Sequence, residues 1–364
     1  LSCALELARR DAGEVSVLEA RHVAAGSSGL SVGIVETQYV DRLDIELRVR
    51  SMLALQQLER EHGLAIVHSG YLRLAHDDPT CEAFERSVEI QRALGVLDAR
   101  VLDREGLAAL IPDMRTEDVR AGLFGPSDGF LDGHLYCGLL ADLARAAGVR
   151  LRAGVELLGA EEHGGGLRLG TSAGELECDV VVNAAGAWAG RVARLLGHDL
   201  DLVPQRQQAA VVQLPRELAY TMPSVMDYTP GSGERGLYFR HEAPGRLIAG
   251  LHTEEARAAP ADPDSYLRGA DEDFLEELAA KLAWRLPGLE DSALAGGWAG
   301  LYPTSAGGRP LVGPAPGTGA RVVVAAGAGG SGIQLSPVLG ELAADWVLQG
   351  EPLAVAGAGV LVPR

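Results

Sequence analysis

Arg321-Val-Val-Val-Ala-Ala-Gly-Ala-Gly-Gly-Ser-Gly-Ile-Gln-Leu-Ser-Pro337 reads as strand, glycine turn and helix. The β-branched run Val322 to Val324 enters a loop carrying Gly327, Gly329, Gly330 and Gly332. Apolar residues at helical spacing follow from Leu339 to Leu348. This layout lets backbone N–H groups approach a ligand closely, and a helix N-terminus favours negative charge. Glycine turns join many strands to many helices, so the reading depends on what surrounds this one.

Two other stretches sharpen it. Upstream lies Asp179-Val-Val-Val-Asn-Ala-Ala-Gly-Ala-Trp-Ala-Gly190, a buried-strand pattern entering a turn of small residues that can pack under a ligand. Near the start, residues 1–11 have Leu1, Ala4, Leu5 and Ala8 on one helical face, and Val15-Ser-Val-Leu18 then reads as a strand ending at Glu19. An acidic residue closing such a strand sits where a dinucleotide fold places its ribose-binding carboxylate. The loop Arg21 to Gly33 contains Gly26-Ser-Ser-Gly29, whose hydroxyls can donate to phosphate without steric cost.

These three pieces, in this order, resemble the D-amino-acid oxidase and sarcosine oxidase superfamily of flavoenzymes, and the resemblance covers nearly the whole chain. It implies an α/β fold. An FAD-binding, Rossmann-like domain of the glutathione-reductase type would comprise residues 1–38, 134–204 and 308–364. An α+β substrate-binding domain with a mostly antiparallel sheet would comprise residues 39–133 and 205–307. The residues that then face FAD are Glu19, Ala20, Arg21, Ser27 and Ser28 from the first segment, and Val155, Ala185, Gly186 and Trp188 from the second. Arg309, Gly329, Gly330, Ser331, Gly332, Ile333 and Gln334 complete the set. In the family a strand and a G-x-G-x-x-G loop come before the helix of residues 1–11, so such a segment is expected to precede Leu1.

Departures from the family pattern carry information. Glu36 stands near the position where sarcosine oxidases supply an arginine for the substrate carboxylate. Gln334 replaces a carboxylate-contacting lysine and Ser331 a histidine. Gly300-Leu-Tyr-Pro-Thr-Ser305 lacks the flavin-tethering cysteine, so FAD is expected to be held non-covalently. Near the oxygen-activating lysine of those oxidases the nearest base is Arg257, which keeps a dehydrogenase in view beside an oxidase.

Candidate substrate residues follow from the strands. Tyr238 and Arg240 alternate with Phe239 and so share a sheet face. An arginine fork there would suit a bidentate carboxylate. Glu36 could hold a cationic group or pair with Arg240, and His252 and Tyr302 are further candidates. The expected reaction is oxidation of the C–N bond of a secondary amine or amino acid to an imine by hydride transfer to flavin, followed by hydrolysis. The alternative is a non-catalytic FAD-binding or structural subunit of a heteromeric amine dehydrogenase. An NAD-dependent dehydrogenase shares the strand-end acid but leaves the C-terminal glycine loop unexplained.

Composition narrows the partners. The chain has 364 residues, 47% hydrophobic and 23% charged, which suits a globular protein of two domains. A net charge of −18 repels phosphate backbones and anionic lipid. No apolar run is long enough to span a bilayer and no signal-peptide pattern opens the chain, which reads as cytoplasmic. Cys3, Cys81, Cys137 and Cys178 are scattered without metal or disulfide spacing, and no H-E-x-x-H occurs. The expected partners are a small amine or amino acid, and oxygen or an electron-acceptor protein or quinone. Oligomerisation is left open.

Overall fold

Period-two alternation in the chain between Tyr71 and Ser305 builds one eight-stranded sheet. Its order is Ala293–Ser305, Leu202–Gln213, Arg246–His252, Gly236–Ala243, Ser224–Asp227, Tyr71–Ala75, Ala121–Gly125, Arg100–Leu102. All neighbours are antiparallel except Ser224–Asp227 with Tyr71–Ala75. This is a computed structural model, and it describes residues 1–229, 232–252 and 260–364. One face of the sheet carries Leu72, Leu74, Val225, Leu237, Phe239, Leu247 and Ala249 into a core closed by Phe274, Leu278 and Leu282 of the helix Glu272–Arg285. Because side chains alternate, Tyr71, Arg73, Met226, Tyr238 and His252 point from the other face into a cavity.

The remaining layer is organised by the helix Gly332–Gln349, whose Leu335, Val338, Leu339 and Leu342 pack with Leu47 and Leu7 from two other helices. The helix starts at Gly332 rather than at Leu339 and carries Pro337 inside it. Proline removes the N–H that Ile333 O would receive, and Ser336 Oγ donates to that carbonyl instead at 2.9 Å. The strands Val181–Asn183 and Val322–Ala326 pair in parallel, as do Ser16–Glu19 and Arg150–Ala153. Among the described residues no strand joins these two small sheets, and both Ser16–Glu19 and Val181–Asn183 line the cavity.

The helix Arg42–His62 has its ends set by its sequence. Asp41 accepts from the N–H groups of Leu43 and Asp44, and Gly63 closes the other end with φ 69°. Its Met52, Leu55 and Leu58 pack with Tyr136, Leu140 and Ile333, so it lies with the glycine-loop helix rather than on the large sheet. The strand Leu202–Gln213 carries Pro204 within it, opposite Pro303 in the register. No helix among the described residues is long and apolar enough to cross a membrane.

Candidate active site

A cavity of about 2150 Å³ runs between the two layers. One end is bordered by Glu19 and Val155, which are joined through the Val155 N–H donating to Glu19 O at 3.0 Å. Glu19 Oε1 accepts from the Arg21 N–H at 2.8 Å, which turns the chain at the strand end. The middle of the cavity is made by Gly26–Ser28 and by the turn after Asn183. Asn183 holds that turn, donating to Ala189 O at 2.9 Å and accepting from the Ala185 N–H at 3.3 Å. The Arg21 guanidinium lies 5.1 Å from the Trp188 ring centroid. Ser27 Oγ donates to Leu301 O at 2.7 Å, tying the loop to the large sheet.

The helix Gly332–Gln349 opens on this cavity from Ser331, which forms no side-chain cap. Its first-turn N–H groups therefore have no intrahelical acceptor and favour an electronegative group in the cavity. Gly330 lets the loop approach Tyr302 closely, since a Cβ there would sit 2.6 Å from the Tyr302 ring. A strand-end carboxylate, a small-residue turn and an uncapped helix N-terminus on one elongated cavity fit an adenine dinucleotide carrying a flavin. Every residue that the sequence placed against the cofactor lines this one cavity, including Ala20, Ser28, Gly186, Arg309, Gly332 and Ile333.

Tyr238, His252, Tyr302 and Glu36 also line this cavity, and Arg240 does not. Alternation puts Arg240 on the expected face, yet its guanidinium lies 4.0 Å from the Phe130 ring centroid and donates to Val32 O, His241 O and Glu242 at 2.6 Å each. The expected Glu36–Arg240 pairing is also not formed. Glu36 pairs instead with Arg48, whose Nε donates to Glu36 Oε1 at 3.3 Å, the two side chains being 3% and 4% exposed. Gln334 adds a second clamp: its Oε1 accepts the Glu36 N–H at 3.0 Å and its Nε2 donates to Glu36 Oε1 at 3.4 Å. Glu36 Oε2 is buried without a hydrogen-bond partner. Ser331 Oγ accepts from Arg48 Nη2 at 3.2 Å. Arg257 lies outside the described residues.

Three rings stand together. His252 stands 6.4 Å from the Tyr228 ring and 6.1 Å from the Tyr302 ring. Burial, with Arg73 adding to it, brings the His252 imidazole down to about 4. Burial raises the Tyr302 phenol to about 12, with Tyr39 contributing, and holds Tyr238 well above its ordinary value, with Tyr302 contributing. The site thus presents a neutral imidazole and protonated phenols at neutral pH. Behind Glu36, the buried Asp128 carboxyl accepts from Gln38 Nε2 at 2.8 Å and is pushed well above the carboxylate range by burial and then by Glu36. Arg48, Tyr39 and Arg73 were not anticipated as site residues. The strand alternation that separates Tyr71 and Arg73 from Leu72 and Leu74 was the available signal for Arg73.

Comparison with known proteins agrees with this geometry. A family described as "FAD dependent oxidoreductase" (DAO) matches residues 1–346. Glycine oxidase of Geobacillus kaustophilus is 25% identical across 94% of this chain and 88% of its own. Mitochondrial dimethylglycine dehydrogenase of Rattus norvegicus is 26% identical across 97% of this chain, which spans only 42% of that protein. The crystal structure of L-proline dehydrogenase from P. horikoshii superposes with a TM-score of 0.85 at 25% identity, covering 97% of this chain and 91% of that one.

Proposed function

The chain belongs to the DAO family of FAD-dependent oxidoreductases, and from that premise we propose that it oxidises the C–N bond of an amino acid or secondary amine to an imine. Water then hydrolyses the imine. Similarity to a glycine oxidase and a dimethylglycine dehydrogenase supports this substrate class. The observation that carries the reading is the neutral His252, ringed by Tyr228 and Tyr302 and set beside Tyr238 on the cavity wall. Bound FAD supplies the acceptor for a hydride.

The substrate C–H bond leaves with its electron pair as the nitrogen lone pair forms the C=N bond, so the amine must be neutral when it reacts. The imidazole, held neutral at about 4, accepts a hydrogen bond and disfavours a second positive charge beside it, so the amine enters neutral and its proton is left to solvent. The Tyr238 and Tyr302 hydroxyls, held protonated, donate to and orient the substrate. Glu36 Oε2 offers a buried acceptor to a substrate N–H or cationic group. Oxygen, or a protein or quinone acceptor, completes turnover. FAD is held non-covalently in this reading, because no cysteine stands between Gly300 and Ser305.

The test is turnover of the FAD-loaded protein with an artificial electron acceptor, over a panel of primary and secondary amino acids and their decarboxylated amines. Carbonyl product is trapped with a hydrazine. Product from at least one amine class is expected, and none from any member of the panel would sink the proposal.

A pH prediction follows from His252. Its folded value, about 4, lies below the unfolded value of about 6.5, so the unfolded chain binds the proton first as pH falls. Stability from this group is full above pH ~6.5 and falls toward pH ~4 by about 3 kcal/mol at most. Urea midpoints at pH 7 and pH 4.5 check it. In His252→Gln the acid-side loss is expected to be smaller than in the native protein, and an unchanged loss contradicts the assignment.

A further inference from the structure

We propose that Asp128, which lies outside the cavity, is a positioning residue for the reaction: it closes a buried ring of hydrogen bonds that fixes the segment presenting Glu36 and Tyr39 to the substrate. This rests on the amine-oxidising reading above. Glu36 and Tyr39 line the cavity, whereas Thr37 and Gln38 between them are buried in protein. There they meet Gln91 of the helix Asp78–Ala93 and Asp128 of the turn between the strands Ala121–Gly125 and Gly129–Leu131. Thr37 Oγ1 donates to Gln91 Oε1 at 2.9 Å, Gln91 Nε2 to Gln38 Oε1 at 3.0 Å, and Gln38 Nε2 to Asp128 Oδ2 at 2.8 Å. Asp128 Oδ1 lies 3.3 Å from Thr37 Oγ1 and completes the ring. A Cβ at Gly125 would lie 2.1 Å from Gln38 Nε2 and 2.3 Å from Asp128 Oδ2, so this glycine makes room for their bond.

The ring has a direction. A hydroxyl has one proton, and that of Thr37 is taken by the shorter bond to Gln91, so Asp128 Oδ1 must carry a proton of its own to donate to Thr37. Neutrality suits the place. Burial, then the Glu36 charge, hold the Asp128 carboxyl well above the usual carboxylate range, with Asp98 adding to them and Gln38 opposing. The other charged groups about this turn are His68, which reaches Ser127 O at 2.8 Å, and its partner Glu59 at 3.1 Å; Asp98 itself accepts from the Ser127 N–H at 3.1 Å. An ionised Asp128 would lose its donation to Thr37 and repel Glu36. The ring also reaches Tyr39, because Gln91 Nε2 donates to Ser87 Oγ at 3.1 Å and Ser87 Oγ donates to Tyr39 O. The Tyr39 ring in turn lies 3.2 Å from the guanidinium of Arg48, the cation paired with Glu36. A shift of this segment therefore moves both the acid and the aromatic surface packed on its partner.

Two readouts test this on the FAD-loaded protein. Infrared absorption at pH 7 reads the proton: native protein is expected to show a protonated-carboxyl band that Asp128→Asn lacks. A native protein without that band, or Asp128→Asn with it unchanged, overturns the proposal. Anaerobic flavin reduction at saturating amino acid reads the positioning. Asp128→Asn keeps an N–H donor for Thr37 and an oxygen for Gln38, and its rate should stay within about threefold of native, since both ring contacts survive. Asp128→Ala opens the ring and should reduce flavin about tenfold or more slowly while still loading FAD, because small misplacements of a substrate-orienting group are costly. If Asp128→Ala does not load FAD, Thr37→Val removes the hydroxyl from the ring and carries the same expectation. Asp128→Asn as slow as the ring-opening variant overturns the proposal, as does a ring-opening variant as fast as native. A protein whose flavin no amine reduces contradicts the proposed reaction, and the infrared band then decides by itself whether the ring is closed by a proton on Asp128.

Discussion

Arg48→Met lowers the stability of the FAD-loaded protein by about 3–5 kcal/mol, because it leaves the Glu36 carboxylate buried without its cation. The pair is almost fully dehydrated, at 4% and 3% exposure. With Arg48 gone, only Gln334 Nε2 at 3.4 Å still reaches Glu36 Oε1, and Oε2 has no partner from the outset. Asp44, the other acid beside Arg48, is 20% exposed and reaches water, so it adds less to the loss. The double variant Glu36→Met, Arg48→Met should recover much of the stability, since two apolar side chains of similar bulk remove both desolvated charges. Urea unfolding of the native, single and double variants measures the coupling. A single-variant loss below about 1 kcal/mol would show that the pair is solvated and the buried-charge account wrong.

Gly33→Ala is the second large effect, at about 2–5 kcal/mol from two additive causes. Gly33 has φ 72°, where an L-residue is strained by about 1–2 kcal/mol. A Cβ there would lie 1.8 Å from the Leu131 carbonyl oxygen, and overpacking costs about a further 1–3 kcal/mol. That carbonyl cannot step aside cheaply. Leu131 ends the strand Gly129–Leu131, which is paired with both Ile34–Val35 and Ile66–Val67, and its N–H donates to Gly33 O at 2.9 Å. Gly63→Ala is the control: φ is 69° but nothing lies within 4 Å of the added Cβ, so only the conformational strain of about 1–2 kcal/mol remains. Thermal unfolding of the two variants separates the causes, and equal losses would contradict the clash. Gly33 also aims the short run that ends in Glu36, so Gly33→Ala should disturb the substrate end as well.

The residues expected against the cofactor fall together along one cavity, and the sequence could group them because their signals are local. A strand closed by Glu19, a small-residue turn after Asn183 and a glycine loop before Ile333 each announce themselves within a dozen residues, and all line one cavity. The mostly antiparallel sheet was legible for the same reason, from alternation such as that of Tyr238 about Phe239. Alternation assigns a face but says nothing about where a long side chain turns. Arg240 has the expected face, and the Val32 carbonyl and Phe130 ring capture its guanidinium. Glu36 and Arg48 meet across a loop and a helix whose docking depends on packing far along the chain, against Gly332–Gln349. The apolar stripe of Leu43, Leu47 and Leu55 reports that the helix is buried on one side, not that a charged residue beside the stripe turns inward to an acid. Arg73 lies inside the strand Tyr71–Ala75, and only the cross-strand register connects it to Tyr238.

The most direct test of the central claim, that this cavity sets an amine against a bound flavin, is anaerobic mixing of the FAD-loaded protein with amino acids and amines under visible absorption. The account predicts loss of the oxidised flavin bands with at least one amino acid, slowed in Tyr238→Phe and His252→Gln. Flavin that binds in the cavity yet keeps its oxidised spectrum with every compound would contradict it.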